Sequence, residues 1–148
     1  MIVLDTTVLI YAVGTEHRFR DPCRELIEAI RTGKVAATTT VEVIREFAHV
    51  RARRRGRSDA AELAGDYADL LSPLLVVEAP DLRAGLRLFA AQDRLGSFDA
   101  VLAAVARGIG ADALVSADEA FSTQEHPRHV IPDEAGIRRL LNGEPGSS

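Results

Sequence analysis

Short apolar runs alternate along the chain with longer stretches of helical period. Residues 2–4, 35–38, 74–77, 113–116 and 129–131 read as strands. The clearest of them are apolar at successive positions rather than at alternate ones, the pattern of strands covered on both faces. Between the runs, apolar residues recur at intervals of three and four. That spacing predicts a short helix after Asp5, then helices over about 19–32, 40–54, 58–71, 81–91, 98–107 and 134–141. Gly33 stands as a C-terminal stop, Ser97 as an N-cap for the sixth helix, and Gly108 and Gly110 as its close. Strands joined by helical crossovers imply an α/β fold, a three-layer α/β/α sandwich around a mainly parallel sheet. No linker, repeat or low-complexity block divides the chain. Residues 1–148 therefore read as a single domain, with 142–148, which lack apolar side chains, as a fraying tail.

Composition narrows the class. With 148 residues, 47% apolar and 27% charged, the chain can build one core and is neither a disordered, a fibrous nor a disulfide-stapled protein. Its net charge of −4, from 18 basic and 22 acidic residues, supplies no overall positive field. Any contact with nucleic acid must use a local patch. The single cysteine, Cys23, has no internal disulfide partner, which fits a reducing compartment. It falls on one helical face with Phe19, Leu26, Ile27 and Ile30, and so reads as a core thiol. Met1 leads straight into the first strand without a basic leader, and the longest apolar stretch, 100–106, is far short of the ~20 residues a membrane span needs. A soluble cytoplasmic protein, without a membrane partner, is the expectation.

In an open parallel sheet, ligands bind at the carboxyl ends of the strands, and acids gather there. Asp5 directly follows the first strand. Glu42 lies in the first turn of the helix after the second, and Asp118 two residues past the run 113–116. Asp99 lies in the first turn of the sixth helix, whose start opens on the same edge if that helix runs antiparallel to the strand after it. Each has a structural explanation by itself. Asp5 can cap the short helix, Thr39 and Glu42 have capping-box spacing, Asp99 complements a helix dipole, and Asp118 can close an Asx-turn. Together they form a cluster of like charges with no basic residue beside it, which points to a cation. The absence of Cys and His from these positions argues against zinc; all-oxygen sites suit Mg2+ or Mn2+. Such a site performs metal-assisted phosphodiester hydrolysis. His17, His49, His126 and His129 have no suitably placed nucleophile to serve. The sequence Asp5-Thr6-Thr7 also lacks the second Asp of a haloacid-dehalogenase-type phosphatase, and Glu78 stands where a receiver domain needs an Asp.

Four segments carry a resemblance: 1–10 around Asp5, 39–43 around Glu42, Phe98-Asp99-Ala100, and 114–121 around Asp118. Present in this order and spacing, they resemble the PIN-domain ribonucleases, and the length resembles the VapC toxins of VapBC toxin–antitoxin systems. The resemblance covers the chain up to about Leu141. It implies a Mg2+- or Mn2+-dependent endoribonuclease that cuts RNA and halts translation. Asp5 and Asp99 would be the principal metal ligands, with Glu42 and Asp118 completing the site directly or through water. Thr7 would take the place of the small polar residue that orients the first Asp, where Ser or Asn is commoner. The partners implied are a second copy of the chain and a VapB antitoxin whose C-terminal segment blocks the acids. A structure-specific DNA nuclease and a catalytically silent PIN-like scaffold are the alternatives; the first lacks elements for gripping a duplex here, and intact acids count against the second.

One dense positive run remains. Arg51, Arg53, Arg54, Arg55 and Arg57, preceded by Arg45, lie at the end of the third helix. They read either as a solvated helix end that complements the dipole or as a phosphate track leading RNA to the acids. An antitoxin could use the same arginines through acidic residues of its own.

Overall fold

The computed structural model describes residues 1–143. The tail expected at 142–148 lies outside them from residue 144 onward. Four strands form the sheet: β1 (Ile2–Leu4), β2 (Ala37–Thr38), β3 (Ala113–Val115) and β4 (Arg128–Val130). Their order is β2-β1-β3-β4, and every pairing is parallel. β1 and β3 are the central pair, in register from Ile2 opposite Ala113 to Leu4 opposite Val115. All residues of these two strands are buried, so both faces of the sheet are covered.

The covering helices are α1 (Thr6–Ala12), α2 (Arg20–Arg31), α3 (Val41–Arg55), α4 (Arg57–Leu70), α5 (Ala79–Ala91), α6 (Ser97–Gly108) and α7 (Glu134–Leu141). α2 buries Cys23, Leu26, Ile27 and Ile30, the stripe that its periodicity predicts. Cys23 is fully enclosed, and burial pushes its thiol up to about 12, so it is inert core. Gly33 ends the segment at φ +74, a conformation that a side chain disfavours. α3 and α4 meet through Phe47 and Tyr67, whose rings stand edge to face at 5.1 Å. Such a pair is worth about 0.5–1.5 kcal/mol beyond its buried area. α5 and α6 approach so closely that a Cβ on Gly85 would lie 2.6 Å from the Cα of Val101. Only glycine permits that approach.

Three local expectations are corrected. Residues 74–77 form no strand; a single parallel bridge joins Leu75 to Thr40. Leu75 donates its amide to Thr39 O at 2.9 Å and accepts the amide of Val41 at 3.4 Å. The chain then enters α3, so its neighbour leaves the sheet before a ladder can extend. Ser97 is the first residue of α6 and not its cap; Gly96 takes that place, with no side-chain hydrogen bond. The capping box of Thr39 with Glu42 does not form. Thr40 caps α3, accepting the amide of Val43 at 3.3 Å, while the Thr39 hydroxyl donates to Leu4 O at 2.7 Å. Glu42 is thereby left free for other work.

Candidate active site

The carboxyl edge of the sheet brings together Asp5, Asp118 and Asp99, and the α3 acid whose charge reaches Asp99 is Glu46, while Glu42 lies in a neighbouring groove. Asp5 leaves β1 in extended conformation and caps α1, accepting the Thr7 amide at 3.4 Å. That structural role occupies only part of the side chain. Its Oδ2 also accepts the Thr7 hydroxyl at 2.8 Å and the Ser116 hydroxyl at 2.7 Å. Asp5 is 3% exposed, so these donors fix the carboxylate in one orientation. Thr7 is held in turn by the Ala117 amide, which donates to its Oγ1 at 3.0 Å.

Ser116 links the two central strand ends. Besides donating to Asp5, its Oγ accepts the amide of Asp118 at 3.0 Å. Asp118 accepts the Ala120 amide at 2.8 Å and so starts the 3-10 turn Glu119–Thr123, the Asx-type role open to it from sequence. One of its oxygens is left over. Behind Ser116, His129 places Nε2 2.8 Å from the Ser116 carbonyl, and burial lowers its pKa. It supports the strand ends from below and does not join the acids.

Asp99 lies in the first turn of α6 and is half-buried. Burial pushes its carboxyl up to about 7, reinforced by the negative charges of Asp5, Asp118 and Glu46. The same fields show that α6 opens on the rim that Asp5 and Asp118 occupy. Glu42, in the first turn of α3, lines a groove with Thr40, Val77, Leu82, Phe98 and Leu102, which brings it beside the start of α6. Its Oε2 is a buried acceptor with no hydrogen-bond partner. Such an atom carries a desolvation cost of about 1–3 kcal/mol until something pairs with it.

Two members of this edge escaped the sequence reading as site residues. Ser116, which the sequence reading includes in the strand 113–116, lies one position past β3 and so at the carboxyl edge. Glu46 is one helical turn beyond Glu42 on α3, so their shared face was legible from spacing.

The donor set suits a hard divalent cation: carboxylates and hydroxyls, with mutual repulsion among the acids that a positive ion would relieve. Among the described residues, no three Asp, Glu, His or Cys side chains stand close enough to grip an ion unaided. This is compatible with Mg2+, which usually takes one or two carboxylates and keeps several waters.

The arginines divide into two groups. Arg51 is largely buried in a two-bonded pair with Asp59, at 2.5 and 3.2 Å, and also donates to Val13 O at 3.3 Å. It pins the ends of α1, α3 and α4 together. Arg53, Arg54 and Arg55 are exposed. They lie 11 to 13 residues beyond Glu42 on the same helix, or roughly 17–20 Å along its axis. Arg51, Arg54 and Arg55 rim a groove floored by Ile10, Val13, Phe47 and Val50.

Known proteins share this architecture. The PIN domain family matches residues 2–126. Ribonuclease VapC7 of Mycobacterium tuberculosis is 57% identical over 145 residues, spanning 95% of this chain and 98% of the relative. In fold, the chain resembles the crystal structure of M. tuberculosis VapC20, described as a sarcin-ricin loop cleaving toxin, with a TM-score of 0.70 at 19% identity. That likeness covers 83% of this chain and 94% of the other. A family match across most of the sequence and a near full-length relative lead to one assignment: the chain belongs to the PIN-domain family, in its VapC ribonuclease branch.

Proposed function

We propose that this chain is the toxin of a VapBC-type pair, an endoribonuclease that uses Mg2+ or Mn2+ to cut RNA and thereby halts translation. The observation that supports the metal requirement is the mutual repulsion at the rim, where Asp5, Asp118 and Glu46 all act on the Asp99 carboxyl.

Asp5 and Asp99 hold the metal, with Glu42 and Asp118 completing its surroundings. Bound there, a divalent ion supplies the positive charge that draws a phosphodiester onto an acidic rim and offsets charge on the leaving oxygen. The chain's own residues do the rest. Thr7 and Ser116 hold Asp5 Oδ2 in a single orientation, so no rotamer search delays the encounter. Glu42 Oε2, which has no hydrogen-bond donor among the described residues, is free to accept a hydrogen bond from a water at the site. Arg53, Arg54 and Arg55 attract the RNA backbone about a helix length away from the cut.

The surface supports two protein partners. A VapB-type antitoxin blocks the acids with its C-terminal segment and can pair acidic residues of its own with the arginine-rimmed groove between α1 and α3; with RNA as substrate, the setting is cytoplasmic. No helix among the described residues is long and apolar enough to cross a membrane. Leu82, Leu86 and Phe89 form an exposed stripe at helical spacing on α5, each 46–47% exposed, and this is the face for a second copy in a homodimer.

The decisive experiment is an RNA cleavage assay with purified protein and defined divalent ions. Cleavage with Mg2+ or Mn2+, lost on chelation and in Asp5→Asn, is the expected result. Undiminished cleavage in excess chelator would falsify the mechanism.

A further inference from the structure

The loop between α1 and α2 builds an aromatic cluster that the chemistry at the acidic rim does not use. His17 is exposed, yet its ring is held in place. It stacks on Tyr11 at 4.4 Å between centroids, with 26° between the planes, and Phe19 flanks it at 5.1 Å. Its Nδ1 accepts the amide of Phe19 at 3.1 Å, the same reach of two residues that an Asx-turn makes. Tyr11 and Phe19 are themselves only 5.4 Å apart, so both lie on the same side of His17. The far face of the imidazole is left to solvent. Beside it, the guanidinium of Arg18, also exposed, lies 4.5 Å over the buried ring of Phe19 and presents its own outer face.

A loop built for stability alone would turn its rings inward. Phe19 does so, and Tyr11 packs half-buried against the core, but His17 continues the stack outward. Two arginines fix the loop from behind: Arg24 on α2 donates to Ala12 O at 2.8 Å, and Arg51 on α3 to Val13 O at 3.3 Å. Val13, Gly14 and Thr15 then form one wall of the groove that Arg54 and Arg55 rim. Planar faces beside a groove edged by exposed cations match the two parts of an unpaired nucleic-acid strand, its bases and its phosphates. Glu16 and Arg18 flank His17 with opposite charges, so planarity and not net charge distinguishes this end of the groove. An acidic peptide would use the cations and leave the open ring face without a partner. α1 spans 7 residues, which sets the loop roughly 10 Å from Asp5 along the helix.

We propose that His17, stacked on Tyr11 and flanked by Arg18, is a nucleobase platform: an unpaired base of the RNA lies on its far face while the neighbouring phosphates follow the arginines of α3. The proposal rests on the reading of the chain as an RNA-cleaving enzyme, and it adds where a base away from the cut is gripped. A stacking platform accepts every base, because each has a π-face. It rejects a continuous duplex, whose bases are already stacked on one another. Substrates with an unpaired base a short way from the cut are therefore preferred.

The test is RNA binding in chelator, followed by fluorescence anisotropy, with two labelled probes of equal length: a short oligoadenylate and a ribose-phosphate oligomer without bases. Parent, His17→Asn and His17→Phe are compared. Asparagine keeps an acceptor for the Phe19 amide and removes the ring, whereas phenylalanine keeps a ring and removes the acceptor. Oligoadenylate affinity should fall about tenfold in His17→Asn, as the loss of one base–aromatic stack implies, and stay within about twofold of the parent in His17→Phe. The baseless oligomer should bind the parent and His17→Asn alike. Parental affinity of His17→Asn for oligoadenylate, or an equal loss with both probes, overturns the platform. So does a folded His17→Phe that binds as weakly as His17→Asn, since the ring would then serve only the loop. Intact RNA binding in His17→Asn together with weakened binding of the purified antitoxin overturns it too, and gives the cluster to that partner. A parent that binds neither probe defeats the RNA reading itself, a result distinct from one in which the parent binds and the ring is silent.

Discussion

Ser116, just past β3, donates its hydroxyl to Oδ2 of Asp5, just past β1, at 2.7 Å. The two neighbouring strand ends are thus tied through the carboxylate itself. Ser116→Ala leaves Asp5 with only Thr7 as donor to that oxygen and frees the amide of Asp118. Buried charged groups that lose a donor cost about 1–3 kcal/mol, so the variant should melt several degrees lower. RNA cleavage should fall by about tenfold, mainly in kcat, since the residue orients a ligand and touches no substrate. An unchanged rate in a stably folded Ser116→Ala would show that Thr7 alone suffices.

Asp99 predicts a pH signature for the metal-free protein. Its folded pKa is raised from 3.8 to about 7, so the folded state binds the proton more tightly than the unfolded chain does. The associated stability is fully present below about pH 4 and is lost as pH rises through 7. Asp99→Asn removes that dependence. Between pH 5 and pH 8, the variant should gain stability relative to the parent, on the order of 1 kcal/mol once solvent screening of a half-exposed group is allowed for. Parallel melting curves in chelator check this, and a variant that melts well below the parent at pH 8 would make Asp99 a structural residue.

For the arginines the readout is salt. Replacing Arg53, Arg54 and Arg55 with Gln keeps helix propensity and removes three exposed charges. RNA affinity should drop alike for all sequences, with the log–log salt slope shallower by up to ~0.7 per lost contact. Saturating RNA should restore much of the rate. Equal affinity and slope would leave the run to the antitoxin or to solvent, which titration with that partner distinguishes. Arg51 is kept out of this set because its pair with Asp59 holds helices together.

The outward stripe of α5 makes a prediction about assembly. Leu86→Glu changes a side chain that is 47% exposed, so folding stability should stay within about 0.5 kcal/mol of the parent. Light scattering behind a sizing column should show the parent as a dimer and the variant as a monomer. A dimeric variant would place the contact elsewhere.

Much of this molecule is legible in its sequence because period and burial agree. The stripe Cys23, Leu26, Ile27 and Ile30 predicts α2, and the apolar runs at Ile2 and Ala113 predict the central strands. The positions of Asp5 and Asp118 just past β1 and β3 follow from parallel topology, which fixes where strands end; on α3 the spacing alone does not tell Glu42 from Glu46. Sequence fails where a tertiary partner decides. Residues 74–77 have strand composition, yet the neighbour at Thr40 turns into a helix, and Val76 is left 70% exposed. Thr39 has cap spacing, yet its hydroxyl is taken by Leu4 O across the sheet. Arg51 looks like its neighbours in the basic run, but only the fold reveals Asp59 beside it. Ser116 and Glu46 are ordinary residues until their partners, far off in sequence, are known.

Gly85 inverts the usual map of tolerance along a helix. On α5 the large apolar residues Leu82, Leu86 and Phe89 point outward, while a residue with no side chain faces the interior against Val101. In a survey of all substitutions scored for folding alone, the apolar positions should accept polar replacements, and position 85 should refuse even alanine. Scored for toxicity, the stripe should become selective too. Val101 lies two residues from Asp99 on the same helix, so a methyl group at 85 would displace the segment that presents this acid. A residue with no side chain thereby governs the placement of charge at the rim.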